Sequence, residues 1–233
     1  MTDQSLGADA EVRLCAVRRI EPEDVHGAAV LHRIAFPDYF LSHMGQGFVE
    51  RFYSEFIDRS GNYGYVAIYD EEVVGSVIGT LDYKRCFEHF YRHQFPTLAL
   101  TFAGRFIVDP YIRRHLASRM AHVRQALRSI ADHGQREVGP EELPADEQAQ
   151  AHLLSICVDS DERGSGLSGQ LVDRYCEELW HDGIEWVGLS VRPENARAIA
   201  FYERTGWQRT GSSAETVQYT RSTRPKSVEG RSL

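Results

Sequence analysis

The chain alternates between two kinds of apolar pattern. Val12–Arg18 reads as a strand, and Val25–Ala35 has Ala29, Leu31 and Ile34 at helical spacing behind Glu21 and Asp24. Phe48, Val49, Phe52, Phe56 and Ile57 predict a second helix. Tyr63–Tyr69 and Val73–Leu81 are β-rich runs around Asp70-Glu71-Glu72, which predicts a hairpin. Residues 83–128 turn aromatic and basic and read as helices broken near Pro96 and Pro110. Residues 131–149 are acidic and carry Gly134, Gly139, Pro140 and Pro144, the composition of a flexible connector. Beyond it come a strand at His152–Val158, a glycine-rich loop at Asp161–Ser168 and a helix from Gly169 to His181. A strand at Trp186–Val191, a helix at Ala196–Thr205 and closing strands at Trp207–Arg209 and Thr216–Thr220 follow, with no internal repeat.

This order predicts one α/β domain: a mixed, splayed sheet flanked by helices, with a helical insertion between the third and fourth strands. Its expected limits are residues 11–222, with tails at 1–10 and 223–233. Within it, the insertion and connector occupy about 83–149, ahead of a compact core at 151–207. The length of 233 residues suits one such domain, and 42% hydrophobic with 26% charged residues suits an ordinary core. The longest apolar run, Phe95–Val108, contains Pro96 and Arg105, so no membrane span is expected. The first residues have neither a basic nor an apolar segment of the secretory kind. Cys15, Cys86, Cys157 and Cys176 lack metal-type spacing and read as reduced thiols of a cytoplasmic protein with no metal.

Net charge is -8, which disfavours nucleic acid as a partner. Residues 84–128 depart from that balance, with nine Lys/Arg against two acids. Such a segment is a solvated helical face or part of a site.

The loop Arg163-Gly164-Ser165-Gly166-Leu167-Ser168-Gly169 follows a strand and opens a helix. Glycines let backbone N–H groups approach a phosphate, and a helix N-terminus adds about half a positive charge. Gly164-x-Gly166-x-x-Gly169, with Glu194 downstream, fits a dinucleotide fingerprint. Too little chain remains after it for the further strand–helix units that such a fold requires.

The stretch from His152 to Trp207 resembles the GNAT (Gcn5-related) N-acetyltransferases. Their acyl-CoA loop, Arg/Gln-x-x-Gly-x-Gly/Ala, is met by Arg163, Gly166 and, with serine in the last place, Ser168. Asn195, Tyr202, Gly206 and Trp207, within NARAIAFYERTGW, match the family's second string. The resemblance implies acetyl-CoA as cosubstrate, with direct attack by an amine on the thioester. Ile156, Cys157 and Val158 would border the pantetheine arm, the segment Arg163–Gly169 would hold the pyrophosphate, and Asn195 would cap its helix and touch the arm. Tyr202 would donate to the CoA sulfur, the alternative being a core-edge tyrosine. His152, eleven residues before Arg163, stands where one branch carries a basic glutamate and another a histidine. It is a candidate base, beside Glu72, Asp82 or water. Ser190 occupies the place where other relatives carry an acid. Cys157 reads as a packing residue rather than a nucleophile.

The insertion implies an enclosed pocket and hence a small-molecule primary amine, such as an amino sugar or nucleotide-linked sugar held by Arg85, Arg92, Arg113 and Arg114. Its aromatics Phe87, Phe90, Tyr91 and Phe95 equally suit a homodimer surface. A protein or peptide amine is the alternative acceptor, and a non-catalytic acyl-CoA-binding module the alternative function.

Overall fold

The computed structural model describes residues 15–58, 60–93, 110 and 149–225. Strands β1 (Ala16–Arg19), β2 (Asn62–Tyr69), β3 (Glu72–Thr80), β4 (Ala151–Val158), β5 (Trp186–Val191), β6 (Gln208–Ser212) and β7 (Val217–Ser222) form one sheet. Their order is β1-β2-β3-β4-β5-β7-β6, so β7 inserts between β5 and β6. All neighbours are antiparallel except β4 and β5.

Helices cover both faces, which is why the central strands read as unbroken apolar runs rather than as an alternation. Tyr63, Tyr65, Ala67 and Val77 meet one core with α5 (Leu167–His181), which buries Leu167, Leu171, Val172, Tyr175, Cys176 and Leu179. Val66 and Ile78 meet the other core with α1 (Val25–Ala35) and α3 (Gln46–Ser54). A short α2 (Phe40–His43), which the apolar pattern does not predict, joins them. The buried stripe of α1 is Val25, Ala28, Ala29, Leu31 and His32, and the expected core position Ile34 is 67% exposed. A Cβ on Gly27 would stand 2.9 Å from Val73 Cγ2, so α1 lies on β3 through its glycine face. That seating turns His32 inward and Ile34 out. The helix α3 ends at Ser54, before Phe56 and Ile57, although Phe56 is still buried.

The hairpin forms as expected, with Glu72 as the first residue of β3 rather than part of the turn. The turn is Asp70 (φ 46°) and Glu71 (φ 67°), two non-glycine residues in the left-handed region that this turn type requires. Residues 83–93 form α4. Phe90 is 1% exposed and sits edge-on to Phe48 and Phe52, at 5.3 Å from each. Phe87 and Tyr91 pack against the same cluster. This aromatic stretch therefore serves the core under α3, and Phe90 cannot be the dimer surface weighed above. Phe95, Arg113, Arg114 and residues 131–148 of the connector fall outside the described residues.

Candidate active site

The parallel pair β4–β5 is the structural break in the sheet. Only Ala151↔Val187 and His152↔Gly188 are in register. Beyond them β5 continues its pairing with β7, and among the described residues no strand pairs with Leu153–Val158 on that side. On its other side β4 pairs with β3 throughout, with a register shift opposite Ile78/Gly79 that leaves Leu154 as an extra residue. Gly79 permits this bulge: a Cβ there would stand 2.6 Å from the His152 carbonyl oxygen. Bulges re-aim the residues that follow them. After it, Ile156 and Val158 pack toward the α5 core while Leu154 turns to the α1/α3 core. The splayed sheet expected from the resemblance is thus present.

The loop after β4 is wound by its own polar groups. Asp159 Oδ1 accepts from the Asp161 N–H at 2.9 Å, and Ser165 Oγ donates to the Glu162 carbonyl at 2.7 Å. The Arg163 and Ser165 N–H groups close turns onto Ser160 and Glu162. Gly164 and Gly166 both sit at φ 89°, and Gly166 is the N-cap of α5, which therefore starts at Leu167 rather than Gly169. A Cβ at Gly164, Gly166 or Gly169 would meet nothing within 4 Å. Among the described residues no acceptor engages the N–H groups of Gly164, Gly166 and Ser168, and the first turn of α5 holds no acid. Free N–H groups, a positive helix end and open space fit an anionic phosphate. Leu167 contributes differently from its neighbours: its side chain is 3% exposed in the core, and its N–H is taken by Ser165 Oγ. It anchors the loop.

Asn195 caps α6 (Ala196–Arg204), its Oδ1 accepting from the Ala198 N–H at 3.1 Å. Tyr202, the one buried residue of α6, lies 5.5 Å from the Trp207 ring and 5.8 Å from Tyr219. Burial first, and Tyr39 second, push its phenol upward from the ordinary 10. The Arg192 guanidinium stacks over Tyr39 at 4.2 Å. The loop after α1 and the loop after β5 thereby close together beside Tyr202.

His152 occupies the closed end of the split, the last paired position of β4. Burial lowers its imidazole from 6.5, with Asp82 opposing. Asp82 itself accepts from the Arg85 N–H at 2.8 Å, and Glu72 stands at the hairpin. Cys157 is 6% exposed, and its thiol is pushed up to about 11 by burial. Such a thiol is inert, which agrees with a packing role. Arg85 and Arg92 are exposed. Val187, Leu189 and Val191 point into the α5 core, so Ser190 and Arg192 face the α1 side.

A profile of the Acetyltransferase (GNAT) family matches residues 29–207. The chain belongs to the GNAT acetyltransferase family. Among GNAT relatives of known activity, the chain is 40% identical over 58 residues to the [ribosomal protein bS18]-alanine N-acetyltransferase of Escherichia coli K12. That match covers 25% of this chain and 39% of the relative, so the chain spans about two fifths of the length of the curated relatives it matches. Among solved GNAT-like folds, SsHAT superposes with a TM-score of 0.59 at 21% identity, over 90% of this chain and 98% of that one. The ribosomal-protein-S18-alanine N-acetyltransferase of Escherichia coli gives 0.51 at 14% identity, over 90% and 94%.

Four residues beside β4 and Tyr202 escape sequence reading: His32 and Ser155, which lie 3.5 Å apart, and Tyr39 and Arg192, which stack at 4.2 Å. His32 carried one signal, its place in the α1 stripe after Val25 and Ala28, where a buried helix face holds a titratable ring. Among the described residues no three His, Cys, Asp or Glu side chains are grouped to hold a metal ion, and no helix is long and apolar enough to cross a membrane.

Proposed function

We propose that this protein is an N-acetyltransferase that moves an acetyl group from acetyl-CoA to a primary amine by direct attack. The observation that carries this reading is the split between β4 and β5, which runs from His152 to the glycine loop at the start of α5. An unpaired strand edge takes an extended, amide-bearing arm by main-chain hydrogen bonds. The free N–H groups at Gly164, Gly166 and Ser168 take a pyrophosphate at the end of the same path.

Acetyl-CoA supplies the thioester carbonyl that the amine attacks and departs as the thiol. The β4 edge holds that carbonyl where backbone N–H groups polarise its oxygen. Tyr202, raised above 10, keeps its proton at any working pH and donates it toward the sulfur as negative charge gathers there. Asn195 fixes the start of α6 and so the height of Tyr202.

The acceptor is a primary amine. The small-molecule reading rests on the insertion. A specific observation favours the other reading: the curated relatives at 40% identity are named for acetylating an alanine of a ribosomal protein. Release of free CoA, measured with N-terminal-alanine peptides beside polyamines and amino sugars, tests both. Turnover that Tyr202→Phe lowers about 10- to 1000-fold, with CoA affinity kept, supports the enzyme. CoA binding without turnover of any amine would leave an acyl-CoA-binding module.

A further inference from the structure

Beneath β4, on the side away from α5, four elements meet in a buried polar network. His32 of α1 is 5% exposed, and its Nδ1 lies 3.1 Å from the Tyr53 hydroxyl of α3 and 3.5 Å from Ser155 Oγ of β4. Ser76 Oγ of β3 lies 3.2 Å from Cys157 Sγ, and both groups, like Ser155, also interact with the Tyr53 hydroxyl. Among the described residues, His32 Nε2 is buried with no hydrogen-bond partner. No charge shifts this ring: burial alone brings the imidazole down to about 4. Tyr53, raised far above 10, and Cys157, at about 11, stay protonated. The network is therefore neutral at rest, and the burial that keeps it so makes any imidazolium within it short-lived.

Buried polar groups cost stability that apolar packing would not. The position of Ser155 offers a reason to keep these. It is half-buried, on the part of β4 that has left β5, and its hydroxyl reaches inward to His32. Ser155 thus has the split on one side and an imidazole on the other.

We propose that Ser155 and His32 form the proton relay of the acetyl transfer, Ser155 as a catalytic residue and His32 as the positioning residue behind it. This rests on the N-acetyltransferase reading. As the amine nitrogen bonds to the carbonyl carbon, its N–H becomes strongly acidic. That proton passes to Ser155 Oγ while the Ser155 proton passes to His32 Nδ1, leaving a neutral amide nitrogen and a transient imidazolium. Once the product leaves, the proton returns through Ser155 to water and Tyr202 regains its own from water, so the net change is one amine proton carried to the released thiol. For Nδ1 to accept, the resting ring carries its hydrogen on Nε2, and Tyr53 donates toward Ser76 or Cys157. The 3.5 Å contact shortens as substrate fills the split, as catalytic hydrogen bonds commonly do.

The test is steady-state kinetics with acetyl-CoA and the best amine of the panel. Ser155→Ala and His32→Asn should each lower kcat about 100-fold and leave KM for acetyl-CoA within about twofold. Ser155→Thr should restore most of the rate. The double variant should be no slower than the slower single one, because the two groups act as a unit. Unchanged kcat in Ser155→Ala, or losses that multiply in the double variant, would overturn the relay. Rate losses that only follow a fall in melting temperature would assign the network to structure and also overturn it. Wild-type protein that releases no CoA with any amine of the panel would remove the acetyltransferase reading and the relay together. Equal turnover by wild type and Ser155→Ala would remove the relay alone.

Discussion

Holding His32 neutral has a measurable effect on stability. An unfolded imidazole titrates near 6.5, and in the fold His32 titrates at about 4. Between those values the unfolded chain binds the proton and the native one does not, so stability falls as pH falls. The stabilisation is complete above 6.5 and is lost progressively down to about 4. For a single site the full loss is about 3 kcal/mol, of which about 2 kcal/mol occurs between pH 7 and 5. With a urea dependence of about 2–3 kcal/mol per molar, the midpoint should drop by about 0.7–1 M over that interval from this residue alone. Other histidines and the carboxylates also titrate, so the decisive comparison is with His32→Asn, which keeps them all. Urea melts at pH 7, 6 and 5 should show a shallower pH dependence in the variant, by the stated amount. Parallel pH dependences in the two proteins would refute the assignment of a low imidazole to this site.

Further outcomes follow from the same geometry. Gly166→Glu places a carboxylate in the open space of the loop and strains φ 89°, so CoA-induced thermal stabilisation should vanish; undiminished stabilisation would remove the loop from the site. Glu71→Gly relieves a left-handed residue at φ 67° and should add about 1 kcal/mol, read as a melting temperature a few degrees higher; an equal or lower temperature would count against that strain. Removing the half-buried imidazole in His152→Ala should leave the pH profile of kcat/KM unchanged, because His152 stands at the closed end of the split. A base there, lowered by burial, would give a rising limb below 6.5, and loss of such a limb in the variant would restore His152 as the base.

What sequence reading captured was local. The loop at residues 163–169 and the Asn195–Trp207 string are contiguous, and their chemistry depends on spacing along the chain. The hairpin was equally legible, since two β-rich runs flank a polar break. The rotation of α1 was not, because it depends on a close approach between Gly27 and Val73, residues 46 positions apart in the chain. For the same reason periodicity placed Ile34 inside and gave no role to His32. The bulge at Leu154 was hidden too: the apolar run His152–Val158 reads identically with or without an extra residue, and Gly79 on the neighbouring strand decides it. The His32–Tyr53–Ser76–Ser155–Cys157 network joins four distant segments of sequence, none of which carries a motif.

The split also divides labour within a single strand. From Leu153 to Val158, one edge of the β4 backbone is free of strand pairing, whereas its side chains are committed elsewhere: Ile156 and Val158 to the α5 core, Ser155 and Cys157 to the polar network. Main-chain groups are common to every residue type except proline. Recognition by that edge is therefore largely indifferent to which side chains the strand carries. Residues 155 and 157 can be exchanged for others of similar volume, and the chemistry under the sheet altered, while the binding edge remains as it is. A library confined to these two positions, with His32 and Tyr53 opposite, is a route to retuning proton handling without rebuilding cosubstrate recognition.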